Sequence, residues 1–422
     1  ISVYTNTTPR GAQRGPGQNE MAAVLAPMTD KIAAEVGVDR IAFRRLNALR
    51  SDGFQGGGQG PVTSSFIAEA LDQGRRAFDW DAREAQPRDL GGSKKRGLGI
   101  GIGYHGAGGR GYDGLLKMAT NGTLHIHSGV GNLGTYSYAA NCRAAAEAMQ
   151  IPWENCEIHR GRTDRHLPHS SGQGGSNTVF THGRAMWVAA EDMIAKMKEI
   201  AAMDLGGSSD DYEIGGERVF KSSDPSQGLT YAQTAQRAIE LGGKFDGQEY
   251  PDDINPITQL ATQGLAGTGL VGVAKDKIPG QGQPPGNIVG FCEIELDTDT
   301  GKIEITDYAG IADCGTVVHP KNFDNSMRGG MVWGVGLTNL ERHVYDPQNG
   351  LPANTGLYQN KPPTNMDVPV DTIQQAVNIP DPQSPIGARG IGEPTQGAMA
   401  AALASAIRDA LDGHMFNTAP TT

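Results

Sequence analysis

Apolar residues recur at helical spacing over residues 20–36, at Met21, Val24, Leu25, Met28, Ile32 and Ala33. A period near 3.6 of this kind predicts a helix. Two further helices are expected, over 39–49 and 64–78. A charged stretch, 81–95, carries Pro87 and the pair Gly91-Gly92 and reads as a linker. Past it the pattern changes to short strand-like runs at 96–104, 115–119, 123–127, 156–159, 270–274, 290–297 and 302–307. Helices are expected between and after them, over 135–149, 177–203, 322–340 and 395–411. The runs on either side of Thr298–Gly301 read as a hairpin. This is an α+β pattern of mixed sheets with packed helices rather than a doubly wound sheet. The division expected is 1–92, then 93–422 with one or two subdomains.

Composition sharpens this picture. The 422 residues include 60 glycines, about twice ordinary usage, spread without a collagen period. Dispersed glycine means tight turns and close backbone approaches, often to a large ligand. A net charge of -11 argues against a general nucleic-acid binder, which needs a basic face. No run approaches the ~20 apolar residues of a membrane helix. Cys142, Cys156, Cys292 and Cys314 lie far apart, with no C-x-x-C pair, so no zinc or iron–sulfur motif can be read. A reducing compartment is expected, hence the cytoplasm, with the periplasm as the alternative. The chain begins at Ile1 in what reads as mid-domain sequence, as if processed, trimmed or split from a neighbour.

Several motifs carry candidate chemistry. Two G-x-G-x-x-G matches, at Gly101-Gly103-Gly106 and Gly267-Gly269-Gly272, are weak in so glycine-rich a chain. The first falls inside an expected strand, and neither has a dinucleotide-binding frame. His125 and His127 alternate on a strand and face one side, and His166 and His169 flank Pro168. Either pair could ligate a metal, yet solvated or core-edge histidines are the ordinary outcome, and no metal ligand is assigned. The turn 128–134 follows a strand and precedes a helix, so its N–H groups could hold an anion. A second turn, 170–178, leads into the long helix, and Ser176, Asn177 and Thr178 are good cap types and phosphate donors. Two such turns suggest one extended phosphorylated or pterin-like ligand. Finally, Gly387-Ala388-Arg389-Gly390-Ile391-Gly392-Glu393-Pro394-Thr395 places Glu393 between a glycine turn and a Pro-started helix. There a carboxylate is either a helix-start charge or a positioned general base.

Together these segments resemble the molybdopterin-binding subunit of the xanthine oxidase family of molybdenum hydroxylases, specifically its C-terminal part. The Gly-Glu-Pro closing the 387–394 segment is the most specific feature. The resemblance implies that Glu393 is the active-site base and that Gly392 lies at the cofactor. It implies that the Arg14-Gly15-Pro16-Gly17 loop approaches the metal, with Arg14 and Gly15 on the cofactor side. Pro16 then lines the substrate pocket, where xanthine-type members carry a stacking Phe. It implies cofactor contacts from Gly131, Asn132, Gln173, Gly174, Gly175, Ser176 and Thr178, and a cofactor-side helix at 331–336. The turn at 129–134 lacks the family's Gln, and Trp333 stands where a Gln is common.

The same resemblance implies a molybdenum-dependent oxidoreductase that hydroxylates an N-heterocycle or aldehyde with oxygen from water. Its cofactor would be molybdopterin or the cytosine dinucleotide form. Partners are implied: a chain carrying the N-terminal half of the molybdenum site, a subunit with 2Fe–2S clusters, and in some arrangements an FAD subunit. Two alternatives stand beside this. One is a molybdenum hydratase or alcohol dehydrogenase acting on an activated double bond, and the other a non-catalytic scaffold or nucleotide-binding protein.

Overall fold

The computed structural model describes residues 4, 7, 11–55 and 60–416. In chain order come α1 (Gln18–Glu35), α2 (Arg40–Leu46), β1 (Phe54–Gln55), β2 (Gly60–Pro61), α3 (Ile67–Ala77), α4 (Trp80–Glu84), β3 (Asp89–Gly91) and β4 (Lys94–Gly106). Next are β5 (Asp113–Met118), β6 (Leu124–His127), α5 (Ser137–Ala148), β7 (Cys156–His159), α6 (Thr178–Leu205), β8 (Tyr212–Gly215), β9 (Arg218–Lys221), β10 (Asp224–Thr230), α7 (Tyr231–Leu241), α8 (Pro256–Gln263) and β11 (Leu270–Lys275). The chain ends with β12 (Pro285–Asp297), β13 (Ile303–Asp313), α9 (Pro320–Val335), β14 (Ile373–Ala376) and α10 (Pro394–Ala410).

Two compact units interleave along this chain. The first takes residues 1–106, 285–379 and 391–422, and the second takes 107–284 and 380–390. The expected division at residue 92 falls in the turn between β3 and β4, inside the first unit. The stretch read as a charged linker holds the end of α4 and the paired strand β3.

The first unit is built on a five-stranded mixed sheet in the order β14-β13-β12-β4-β3. Strand β4 reads Gly97, Gly99, Gly101, Gly103 at every second position, so one face of the strand has no side chains. Helix α10 lies directly on that stripe. A Cβ on Gly97, Gly99 or Gly103 would collide with the carbonyl oxygen of Ala406, Ala402 or Pro394 respectively. Helix α10 matches this with alanines: Ala398, Ala401, Ala402, Ala406 and Ala410 are buried. Gly330 and Gly334 of α9 approach Thr395 and Gln396 of α10 just as closely. Gly101 and Gly103 of the first G-x-G-x-x-G are therefore helix-packing positions inside a strand, not a ligand turn. The opposite face of the sheet packs Leu98, Ile100, Val289, Phe291 and Ile311 against α3, Phe78 and Trp80.

Helix α1, expected from its period, turns most of its large apolar residues outward. Its buried positions are Asn19, Ala23, Ala26, Pro27, Asp30 and Ala33. Met21, Val24, Leu25, Met28 and Ile32 point outward, each between 45% and 54% exposed. Small and polar residues face inward because the helix is pinned by buried polar pairs. The guanidinium of Arg44 donates to Asp30 across 2.7 Å, and Ser405 of α10 donates to the same carboxylate.

In the second unit a four-stranded sheet runs β11-β5-β6-β7. Strands β6 and β7 are parallel, so α5 is the crossover between them. Helices α5 and α6 pack over one face through Leu116, Ile126, Cys142, Ala145, Met186 and Met193. Gly114 and Gly272, from adjacent strands, let α6 approach as Gly99 does α10. A small meander, β10-β9-β8, completes the unit.

Candidate active site

Glu393 sits immediately before α10, whose first residue is Pro394. Proline suits that position because its missing N–H would be unpaired there anyway. One carboxylate oxygen, Oε1, accepts the Gly15 N–H at 3.2 Å. The other, Oε2, lies 3.4 Å from Nδ1 of His105, at the end of β4. That Nδ1 is also 2.7 Å from the Gly106 carbonyl, which can only accept, so the proton resides on Nδ1. The Glu393 side chain is 15% exposed and that of His105 is 13% exposed, so the pair is sheltered yet reachable.

Arg14 frames this carboxylate from behind. Its Nη2 donates to the Ser326 carbonyl at 2.9 Å and to Thr395 Oγ1 at 3.1 Å, while Nε donates to the Gly392 carbonyl. Its guanidinium lies 5.5 Å from the centre of the Trp333 ring. Burial pulls the Arg14 pKa down to about 10, an effect the negative charge of Glu393 opposes. Arg14 is thus a fixed cation that ties its loop to α9 and to the start of α10. The loop itself is tight: Gly15 has φ +73°, and a Cβ there would lie 2.5 Å from Asn19 Nδ2. Asn19 Nδ2 in turn donates to the Arg14 carbonyl at 2.5 Å.

The second unit brings the two predicted glycine turns together. Ser170 Oγ donates to the Gly129 carbonyl at 2.7 Å. Gln173 spans both turns, its Nε2 donating to Ser137 Oγ at 2.6 Å and its Oε1 accepting Leu133 N–H at 3.1 Å. Asn132 Oδ1 accepts the N–H groups of Gly134 and Tyr136 at 2.9 and 3.2 Å, which folds the turn into α5. Neither α5 nor α6 has its first N–H groups capped by the side chain of the preceding residue. Asn177, a good cap by type, does not act as one. The turn that ends at Gly390 presses on Ser176, where a Cβ would meet the Ser176 carbonyl oxygen.

The glycines of these turns divide by cause. Gly134, Gly172 and Gly175 have positive φ, which explains them. Gly129 is pressed against the Pro168 carbonyl. Gly131 and Gly174 have neither reason: among the described residues nothing lies within 4 Å of a Cβ on Gly174, and Gln173 Oε1 at 3.9 Å is the one neighbour for Gly131. Both are exposed. Bare backbone beside two uncapped helix starts is chemically suited to an anionic ligand lying close over it.

Of the expected residues, Arg14, Gly15, Gly392 and Glu393 gather at the start of α10. Gly131, Asn132, Gln173, Gly174, Gly175 and Ser176 gather at the starts of α5 and α6, with Thr178 buried in the first turn of α6. Pro16 is exposed on the Arg14 loop. His105 and Ser326 join the site without any local motif to mark them, since their roles come from contacts distant in the chain. An open polar cleft of about 550 Å³ in the second unit is lined by Arg110, Tyr112, Asp113, His169, Asn255 and Lys275 among others, and by none of the expected cofactor residues.

Comparison with known proteins gives one consistent answer. A family model described as molybdopterin cofactor-binding domain matches residues 73–369, and a second model with the same description matches 1–48. The putative xanthine dehydrogenase molybdenum-binding subunit XdhA of Escherichia coli strain K12 is 25% identical over all of this chain and 53% of its own length. The gamma subunit of the 6-hydroxypseudooxynicotine dehydrogenase complex of Paenarthrobacter nicotinovorans is 26% identical, over all of this chain and 51% of its own. The chain thus spans about half the length of these curated relatives. The crystal structure of quinoline 2-oxidoreductase from Pseudomonas putida 86 superposes with a TM-score of 0.79 at 22% identity, covering 96% of this chain and 50% of that one. The larger model match alone spans more than half of the sequence, and the chain belongs to the molybdopterin cofactor-binding domain family, the family of xanthine dehydrogenase-type molybdenum-binding subunits.

Proposed function

We propose that this chain is the C-terminal part of the molybdenum subunit of a hydroxylase or dehydrogenase that oxidises an N-heterocycle or an aldehyde with oxygen from water. The observation that carries the reading is Glu393, a sheltered carboxylate fixed by the Gly15 N–H at the start of α10. Molybdopterin, or its cytosine dinucleotide, would supply a redox metal able to take two electrons from substrate. The chain's own residues do the rest. Gly131, Gly174, Gly175 and Ser176, with the N–H groups opening α5 and α6, receive the cofactor's anionic groups. Asn132 and Gln173 hold the two turns in register, and Thr178 anchors the second. Glu393 accepts the proton that a water-derived hydroxyl must lose before attacking carbon. Gly15 orients the carboxylate, Arg14 and Gly392 fix the loop behind it, and Pro16 shapes the substrate side.

Electrons must leave through other polypeptides. Among the described residues Cys142, Cys156, Cys292 and Cys314 form no disulfide, and none joins a group of metal ligands. We therefore assign 2Fe–2S clusters, with or without FAD, to partner subunits. The outward stripe of Met21, Val24, Leu25, Met28 and Ile32 on α1 supports a further partner, a chain or preceding segment carrying the N-terminal half of the site. In this reading residues 1–92 complete that preceding domain, and 93–422 form the C-terminal one. Among the described residues no helix is long and apolar enough to cross a membrane. Four cysteines without a disulfide fit the cytoplasm better than the periplasm.

The test is metal and pterin analysis of the natively purified assembly, with acceptor-dependent turnover. About one molybdenum per copy of this chain, with iron and additional polypeptides, is expected. Absence of molybdenum from a fresh, complete assembly would overturn the reading. Turnover that proceeds without an electron acceptor would overturn the oxidative reaction in favour of hydration.

A further inference from the structure

One face of the second unit's sheet is apolar and packs Leu124, Ile126 and Ile158 against α5 and α6. The other face, by strand register, presents Lys117 beside His125, His125 beside Glu157, and His127 beside His159. His125 Nδ1 lies 2.6 Å from His159 Nε2. Glu157 reaches both, with Oε2 3.8 Å from His125 Nδ1 and Oε1 3.5 Å from His159 Nε2. The Glu157 side chain is 54% exposed, so the cluster opens to solvent. The proposed reaction uses none of these groups.

We propose that His125, His159 and Glu157 bind a divalent ion of the zinc class, with water completing its coordination. Such ions take imidazole and carboxylate ligands at about 2.0–2.2 Å, which sets tetrahedral ligand atoms about 3.3 Å apart. The two ring nitrogens, 2.6 Å apart, stand closer than that, and with one ligand atom from each residue all three atoms lie within 4.8 Å of one another, a spread that rotation of the exposed Glu157 side chain can close. Binding therefore needs the two rings to part by less than about 1 Å, replacing their direct contact. His127 is a positioning residue: its Nδ1 donates to the Arg165 carbonyl at 3.1 Å, and its ring stacks on His159 at 4.6 Å. With the ion on Nε2, the proton of His159 moves to Nδ1, and the 3.5 Å contact of that nitrogen with Arg165 is given up. Lys117 opposes the ion, and Glu157 offsets it.

The ligands come from β6 and β7, the parallel pair joined across α5, with β7 at the sheet edge. An ion there would staple that edge and raise the melting temperature of the unit with zinc concentration. The experiment is equilibrium dialysis of the purified assembly against zinc, with zinc per chain read by mass spectrometry and melting followed in parallel. Wild type should bind about one zinc per chain at micromolar free zinc. Glu157→Ala, a change at an exposed side chain that leaves the fold intact, should weaken binding at least about 10-fold. The double change His125→Ala with His159→Ala should abolish it. Molybdenum content, unchanged in all variants, serves as the folding control and keeps this result separate from the proposed reaction. No zinc uptake by wild type, or uptake by Glu157→Ala equal to wild type, would overturn the proposal.

Discussion

The backbone N–H of Gly15 donates to the carboxylate of Glu393, joining residues 378 positions apart at 3.2 Å. Only a residue at ease with φ +73° can present that N–H, and the neighbouring Asn19 leaves no room for a Cβ. Gly15→Ala should therefore displace the loop and release the carboxylate. We expect turnover to fall about 10- to 100-fold, the scale of a small misplacement at a reacting centre. Molybdenum content should stay near wild type, read by mass spectrometry on the same sample.

The contact between β4 and α10 sets where Glu393 stands. Gly99→Ala would drive a methyl group into the Ala402 carbonyl, backbone against backbone, with no flexible side chain to yield. Overpacking of this kind costs roughly 1–3 kcal/mol or more. Gly106→Ala, at the end of the same strand, meets nothing within 4 Å among the described residues and should be near neutral. Melting curves of the two variants should separate by several degrees; equal curves would contradict this packing.

A methyl group at Gly174 meets no atom of the described residues within 4 Å, so Gly174→Ala should leave the melting temperature of the cofactor-free chain unchanged. The same methyl group would occupy space assigned to the cofactor, so pterin and molybdenum content should drop together. Gly129→Ala should do the reverse, lowering stability through its clash with the Pro168 carbonyl. Thermal melts and metal analysis of the pair distinguish a ligand-facing glycine from a packing glycine.

His182 is buried in α6, with the Tyr112 ring edge-on at 5.3 Å. Burial, aided by the nearby His169, pushes its pKa down to about 4. Between that value and the ordinary 6.5, the unfolded chain binds a proton that the folded chain does not. Stability should thus be full above pH 6.5 and fall as pH drops toward 4, by about 1.4 kcal/mol per pH unit for this group. Denaturant titrations at pH 7 and 5 should show a smaller loss for His182→Gln than for wild type. Equal losses would contradict a buried neutral His182.

How much of this is legible in the sequence varies with the range of the interactions. Strand β7 is predicted at its observed ends, because Cys156 to His159 alternates between clear flanking turns. Helix α10 is predicted within a residue at each end, since Pro394 marks its start. Helices α7 and α8 carry start signals of the same kind, Thr230 with Gln233 and Asn255 with Pro256, but the meander β8–β10 and the edge strand β14 leave no such mark. Their residues are polar or short in run, and β14 is defined by its pairing with β13. The period of α1 identifies the helix, while its inward side is decided by Asp30, Arg44 and Ser405 from three separate helices. Glu393 and the two glycine turns stand out through their motifs. His105 does not, because a lone histidine in a glycine-rich strand acquires meaning only when the fold sets it beside a carboxylate.

Glu393 as the base is the centre of the proposed chemistry. The most direct measurement is steady-state turnover of Glu393→Gln in the native assembly, with molybdenum and pterin counted in the same preparation. The amide keeps the shape and can still accept the Gly15 N–H, but it cannot take a proton. A base at this position predicts cofactor at wild-type level and turnover reduced about 100-fold or more. Wild-type turnover in the fully loaded variant would contradict it.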